Sequence, residues 1–120
     1  MELLDAVTEK NLPLVVRLLE KKSDVHVYND LCLGVAASKG SRFIVTELLK
    51  ANANPNARDS VSLREAVQNN HLETVRQLLS AKANPRAKED KPIHLALKNR
   101  NEDMIQLLLE HGAIHPEPKQ

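Results

Sequence analysis

The amino-acid sequence predicts an all-α solenoid, that is, a stack of short helix-turn-helix units. The first observation is a leucine column with a step of 30 residues: Leu18, Leu48, Leu78 and Leu108. An alanine column keeps the same step: Ala6, Ala36, Ala66 and Ala96. The third observation is that every unit carries two short amphipathic stretches. A fixed period of this size is typical of solenoids, in which each unit buries its apolar face against its neighbours.

The spacing of apolar residues within a unit predicts two helices. In the third unit, Leu63–Val67 and Val75–Leu79 each place apolar residues at i, i+3 and i+4, which puts them on one face of a helix. Asn69 and Asn70 interrupt the pattern between them. Each stripe is about two turns long, too short to be stable alone in water. The helices therefore depend on the neighbouring units.

Turn and cap residues mark where these helices begin and end. The first helices are preceded by Asp30, Ser60 and Asp90, whose side-chain oxygens can cap free backbone N–H groups. The second helices are preceded in the same way by Asn11, Ser41 and Asn101. Gly40 and Asn70 share the column between the two helices and tolerate a left-handed backbone. Pro55 and Pro85 prevent the second helices from continuing into the next unit.

Composition is that of one ordinary globular domain of 120 residues. Hydrophobic residues make up 42% and charged residues 28% of the chain, and Tyr28 and Phe43 are its entire aromatic set. The core must therefore be aliphatic. The formal net charge is +1, with basic and acidic residues mixed along the chain. This balance offers no electrostatic argument for binding nucleic acid or an anionic membrane.

The sequence predicts a cytoplasmic protein. No apolar run approaches the roughly 18 residues of a membrane-spanning helix, and the N-terminus does not have the pattern of a signal peptide. Cys32 is the single cysteine, which excludes an internal disulfide and agrees with a reducing compartment. Delivery of the protein into another cell stays open as an alternative.

The repeated units resemble ankyrin repeats. The segment KPIHLALKNRNEDMIQLLLEHGA, residues 91–113, is similar to the family's TPLHxA opening followed by its second helix and terminal Gly-Ala. The resemblance covers residues 1–115 in four units, at about 1–30, 31–60, 61–90 and 91–115, and leaves 116–120 as a short polar tail. The family period is about 33 residues. Here residues are missing where the family has a β-hairpin finger, so the resemblance implies a stack with abbreviated loops.

The resemblance also implies a protein partner bound on the concave face, where first helices and loops are exposed. The expected contact positions at the ends of the first helices are Thr8, Glu9, Ser38, Lys39, Gln68, Asn69, Lys98 and Asn99. Those in the loops are Tyr28, Asn29, Asp30, Arg58, Asp59, Lys88, Glu89 and Lys91. Tyr28 and Arg58 are the preferred anchors, because Tyr and Arg are enriched at interface hot spots. When it binds this partner, the chain would act as an adaptor, a scaffold or an inhibitor.

Catalytic, metal-binding and cofactor-binding functions are disfavoured, and no cofactor, metal ion, small-molecule substrate or nucleic acid is expected. His111 and His115 are four residues apart, but Gly112 and Pro116 make a continuous helix through them unfavourable. Cys32 has no partner in a recognisable catalytic motif, and the three glycines form no phosphate-binding loop. A nucleic-acid-associated or catalytic protein that uses surface Lys and Arg or His and Cys is the alternative reading.

The chain is expected to be a monomer, with one reservation at its C-terminal end. Leu107 lies in a column that otherwise holds Arg17, Glu47 and Gln77, and Ile114 also replaces polar residues. Terminal repeats are normally polar on their outer face. These apolar residues could contact a partner, support weak self-association, or pack beneath the tail that begins at His115.

Overall fold

A computed structural model describes residues 2–116, which form four antiparallel helix pairs and contain no β-strand. The helices are α1 (Leu3–Thr8), α2 (Leu12–Glu20), α3 (Val27–Ser38), α4 (Arg42–Lys50), α5 (Ala57–Gln68), α6 (Leu72–Ser80), α7 (Ala87–Lys98) and α8 (Glu102–Glu110). The all-α repeat architecture is thus confirmed. Most of the expected polar tail, residues 117–120, lies outside the described residues. No helix in the described range is long and apolar enough to cross a membrane.

The helix pairs stack into a rod that measures 56 × 19 × 18 Å. Each first helix packs on the next first helix, in the order α1, α3, α5, α7, and each second helix packs on the next second helix. Successive first helices approach one another more closely than successive second helices do. The first helices form one side of the stack and the second helices the other; we call the side of the first helices the concave face, as the ankyrin resemblance implies.

The core consists of the aliphatic columns that carry the period. Leu33 and Leu63 of the first helices, and Leu48 and Leu78 of the second helices, are almost completely buried. Ala36, Ala66 and Ala96, all 0% exposed, lie among them. Small side chains at these positions allow the helices to pack closely, because a protein interior has little room for an additional methylene group.

Every helix ends in a left-handed turn. At the first turn of the second unit, the amide of Ser41 donates to the carbonyl of Ala36, and that of Gly40 donates to Ala37. This pair of bonds is the Schellman motif, which requires positive φ at its penultimate residue. Gly40 and Asn70 meet the requirement readily, as the sequence predicts. Lys10, Arg100, Lys22 and Lys82 adopt the same positive φ although their side chains disfavour it.

A second left-handed segment replaces the missing finger in each abbreviated loop. Three consecutive residues with positive φ precede the right-handed part of each later first helix: Tyr28, Asn29 and Asp30; Arg58, Asp59 and Ser60; Lys88, Glu89 and Asp90. An amide-to-carbonyl bond closes each segment, as from Asp30 to His26 at 3.2 Å. A single left-handed turn thus connects the units where a hairpin would need more residues.

The cap predictions are confirmed in part. Asn11 and Asn101 accept hydrogen bonds from the amides of Leu14 and Met104, as expected of N-caps. Ser41 does not cap α4. The prediction for the first-helix caps is wrong: Asp30, Ser60 and Asp90 lie inside the left-handed turns and are not N-caps. Left-handed turns could not be foreseen from residue type at these positions.

Candidate functional site

The concave face contains a groove between α3 and α5, with a volume of about 300 Å³. Its walls come from two neighbouring units, so that it exists only in the stack. The lining residues are Leu31, Gly34, Val35, Ser38, Lys39, Arg58, Val61 and Glu65. The groove is therefore apolar along its length and charged at its edges.

Gly34 forms the floor of this groove. It lies in the middle of a right-handed helical segment, where glycine is less favourable than alanine by roughly 0.5–1 kcal/mol. A Cβ added there would sit 3.7 Å from Cγ1 of Val61, an ordinary contact distance. Packing between the units therefore does not require glycine. Its effect is to deepen the groove between two partly exposed apolar residues, Val35 and Val61.

Arg58 stands at the edge of the groove and is tied to the preceding unit. Its Nη2 donates to the carbonyl oxygen of Tyr28 at 3.2 Å, so the two preferred anchors are neighbours. The backbone around Arg58 is held in turn by Arg64, whose Nη2 donates to the carbonyl of Arg58 at 3.0 Å and whose Nε donates to that of Asp59 at 3.1 Å. The guanidinium of Arg58 keeps further N–H groups for another acceptor.

Tyr28 lies beside a second groove, between the first two units. This groove of about 320 Å³ is lined by Glu2, Leu3, Leu4, Ser23, Asp24, Val27 and Tyr28. The Tyr28 side chain is 60% exposed. Glu2 and Asp24 make this end of the concave side acidic, whereas Arg58 and Lys39 make the next groove partly basic. A partner that lies along the face would meet both.

The structure places most of the sequence-predicted contact residues at the surface. Ser38 is half-buried and Asp30 is buried, and the other predicted positions are exposed. Ser38, Lys39 and Arg58 come together in the α3–α5 groove. The other twelve predicted positions line neither of these two grooves: Thr8, Glu9, Asn29, Asp30, Asp59, Gln68, Asn69, Lys88, Glu89, Lys91, Lys98 and Asn99.

Asp30 was expected to be exposed, and this expectation is wrong. Its side chain is only 7% exposed, and Oδ1 accepts hydrogen bonds from the amide of Asn54 at 3.0 Å and from the Nδ1 of His26 at 2.9 Å. One unit later, the amide of Asn84 donates to Asn56 Oδ1 at 2.8 Å and to Ser60 Oγ at 3.3 Å. The left-handed turn directs Asp30 and Ser60 inward, where each bonds to the backbone of the next unit, whereas Asp90 is partly exposed and pairs with Arg86 at 2.7 Å.

Two predicted amides also connect units. Asn69 Nδ2 donates to the carbonyl of Ser38 at 3.3 Å, and Asn99 Nδ2 donates to that of Gln68 at 3.1 Å. The spacing of each pair is one unit plus one residue. These side chains remain exposed, but part of their hydrogen-bonding capacity is already used to hold the stack.

Sequence reasoning missed the apolar part of the α3–α5 groove, namely Leu31, Gly34, Val35 and Val61, together with Glu65 at its edge. A signal was present in the column that contains Leu4, Gly34, Arg64 and His94. Only the second unit has a glycine at this mid-helix position. A glycine with no need for positive φ indicates a place where something approaches the backbone closely.

The described residues do not assemble a recognisable reactive site. Cys32 is 0% exposed inside α3, and burial, followed by the carboxylates of Asp30 and Asp24, raises the pKa of its thiol to about 11. His71 is bonded to the carbonyl of Ser38 and His94 to that of Asp90. Within residues 2–116, no group of three or more His, Cys, Asp or Glu side chains is arranged to hold a metal ion.

Comparison with known protein families agrees with the periodicity and the fold. A family model described as ankyrin repeats in three copies matches residues 3–89 and, in a second alignment, residues 63–119. The two matches start 60 residues apart and overlap over residues 63–89. A search of curated protein sequences found no match. Because the family model covers more than half of the chain, this protein belongs to the ankyrin repeat family.

Proposed function

We propose that the chain binds a protein partner through its concave face, with the α3–α5 groove at the centre of the contact. Ankyrin repeats generally serve as protein–protein interaction modules. The observation that carries the proposal is the groove itself, which combines an apolar floor at Gly34 with the exposed cation of Arg58. Deep apolar pockets edged by Arg or Tyr are typical of the centres of protein interfaces.

The lining indicates what the partner presents. An apolar side chain would fill the space over Gly34, between Val35 and Val61. A carboxylate beside it would reach the N–H groups that Arg58 does not use for Tyr28. Glu65 and Lys39 border the same groove. A polar residue of the bound segment would therefore meet a negative charge beside Glu65 and a positive charge beside Lys39.

Binding at this face would let the chain act as an adaptor, a scaffold or an inhibitor. In each role the chain would act by covering the surface of one partner or by connecting two partners, because the stack offers an extended binding surface. An inhibitor would block a site on one partner, whereas an adaptor or scaffold would hold two proteins at once. The number of proteins that are bound simultaneously separates these roles.

The test uses alanine variants at the two anchors and a matched control on the outer helices. The 120-residue chain is used to capture partners from its source cells, and the captured protein is then titrated against wild type, Tyr28→Ala and Arg58→Ala. Each substitution should weaken binding by at least about 1 kcal/mol, roughly fivefold in Kd. Arg76→Ala is the control, since Arg76 is an exposed arginine on α6 that forms a surface ion pair with Glu73 at 3.6 Å.

Thermal unfolding of each variant must match the wild type, so that a loss of affinity reports on the contact. Unchanged affinity for both anchor variants would remove the concave face from consideration. An equal loss in Arg76→Ala would show that the effect is not local to that face.

A further inference from the structure

A third groove lies at the other end of the first helices, where they turn into the second helices. It has a volume of about 360 Å³ and is formed by the turn of the first unit and the start of α4. We name it the turn-edge groove. Its lining residues are Lys10, Leu12, Lys39, Gly40, Ser41, Arg42, Phe43 and Ile44.

Three cations and no acidic residue line the turn-edge groove. Lys10, Lys39 and Arg42 form no ion pair within 4.0 Å to any described residue. The groove also adjoins the first turn of α4, where the helix dipole adds positive potential. No side chain caps that helix start, and the Ser41 hydroxyl is buried without a hydrogen-bond partner in the described part of the chain. An anion would therefore be stabilised here.

The cations do not continue along the stack. The first turn of α6 carries Glu73, and that of α8 carries Glu102 and Asp103, at columns where α4 has Arg42 and Phe43. Acidic residues at those helix starts compensate the dipole. The turn of the third unit, residues 68–72, carries no Lys or Arg, so the positive charge of the first two units is separated from that of Lys98 and Arg100 in the fourth. A nucleic-acid strand would need a longer basic track.

An exposed aromatic residue adjoins the cations. The Phe43 side chain is 61% exposed, and the guanidinium carbon of Arg42 lies 4.9 Å from its ring centroid. Leu12 is partly buried and extends the apolar surface. A small inorganic anion would leave this apolar part uncovered, whereas a peptide side chain would remove it from water.

From this charge complementarity and the adjoining apolar wall, we propose that the turn-edge groove docks an acidic peptide segment of a partner protein. A carboxylate of the segment would lie among Lys10, Lys39 and Arg42, and a neighbouring aliphatic or aromatic side chain would pack on Phe43 and Leu12. This site is separate from the concave-face contact and does not rest on it, although Lys39 borders both grooves.

The experiment selects random phage-displayed peptides of about twelve residues on the full wild-type chain. Selected peptides are then measured by fluorescence anisotropy against Arg42→Gln, Phe43→Ala and two controls. Glu73→Ala changes the position equivalent to Phe43 in the next unit, and Arg58→Ala changes the concave face. We expect enrichment of peptides that place Asp or Glu next to an apolar residue. Their Kd should rise about tenfold or more in Arg42→Gln and in Phe43→Ala, and should be unchanged in both controls.

Several outcomes would overturn the proposal. The first is that the selection enriches no peptide, and the second is that the enriched peptides contain no acidic residue. The third is that the peptides bind Arg42→Gln and Phe43→Ala as tightly as wild type. Peptides that lose affinity in Arg58→Ala alone would belong to the concave face, which would support that contact and refute this one. A labelled oligonucleotide that binds through Arg42 while acidic peptides do not would also refute it.

Discussion

Replacing Gly34 with alanine should stabilise the protein and weaken the binding of its concave-face partner. Gly34 lies in a right-handed helical segment, and the structure has ordinary contact space for a methyl group, 3.7 Å from Val61 Cγ1. Alanine restricts the unfolded chain more than glycine does and is favoured in a helix interior. The same methyl group would raise the floor of the α3–α5 groove, where a partner's side chain is proposed to sit.

The expected gain in the free energy of unfolding is about 0.5–1 kcal/mol. Unfolding entropy near the midpoint is about 2.1 cal/mol/K per residue, or about 0.25 kcal/mol/K for this chain of 120 residues. The melting temperature should then rise by about 2–4 °C. Calorimetry measures this shift, and titration of the captured partner measures the change in Kd on the same preparation.

Gly40→Ala supplies a control of opposite sign in the same unit. Gly40 has φ +67°, which disfavours any residue with a Cβ, and an added Cβ would collide with the imidazole ring of His71. This variant should lower the melting temperature. If Gly34→Ala lowered the melting temperature as well, the reasoning about free space beside Val61 would be refuted. If it raised the melting temperature but left the partner's affinity unchanged, the groove would not be the centre of the contact.

Three further predictions concern the stack itself. Ala66→Leu should lower the free energy of unfolding by about 1–3 kcal/mol through overpacking, because Ala66 is 0% exposed, and a melting temperature within a degree or two of wild type would contradict the packing. Asp30→Ala should lower the free energy of unfolding in chemical denaturation by about 1–3 kcal/mol, because it leaves the amide of Asn54 without its acceptor. Asp30→Asn keeps an Oδ1 acceptor at this position and should recover part of the loss. At pH 8, Cys32 should be alkylated about 100-fold more slowly than a cysteine in the unfolded chain, because its raised pKa keeps the thiol protonated. The alkylation rate should rise as the pH approaches 11. Mass spectrometry measures the labelling, and equally fast labelling of native and denatured protein would disprove the burial of Cys32.

The repeated architecture could be predicted from the sequence because periodicity is a property of order along the chain. The columns of Leu48 and Ala36 recur at a constant step, and a helix pair that cannot bury its apolar face alone must stack on its copies. Helix ends could also be placed. Gly40 and Asn70 tolerate the positive φ of a Schellman turn, and Asn11 carries the oxygen that an N-cap needs.

The candidate site could be predicted only in part, because exposure depends on side-chain direction in the assembled loops. Tyr28, Asn29 and Asp30 are adjacent and polar, yet the left-handed turn leaves the first two at the surface and buries the third. Residue type alone does not distinguish these positions. Their hydrogen-bond partners, such as the amide of Asn54, lie one unit further along the chain.

The sequence by itself determined that this protein is an all-α stack of four units with an aliphatic core, since a constant step and alternating apolar stripes specify which faces must be buried. The tertiary structure alone decided where the grooves lie, since each is formed by two units whose contributions are far apart in sequence. Gly34 and Val61 line one groove, and Lys10 and Phe43 line another, only because neighbouring units pack in register. Cavities between units depend on that register, which no single unit encodes.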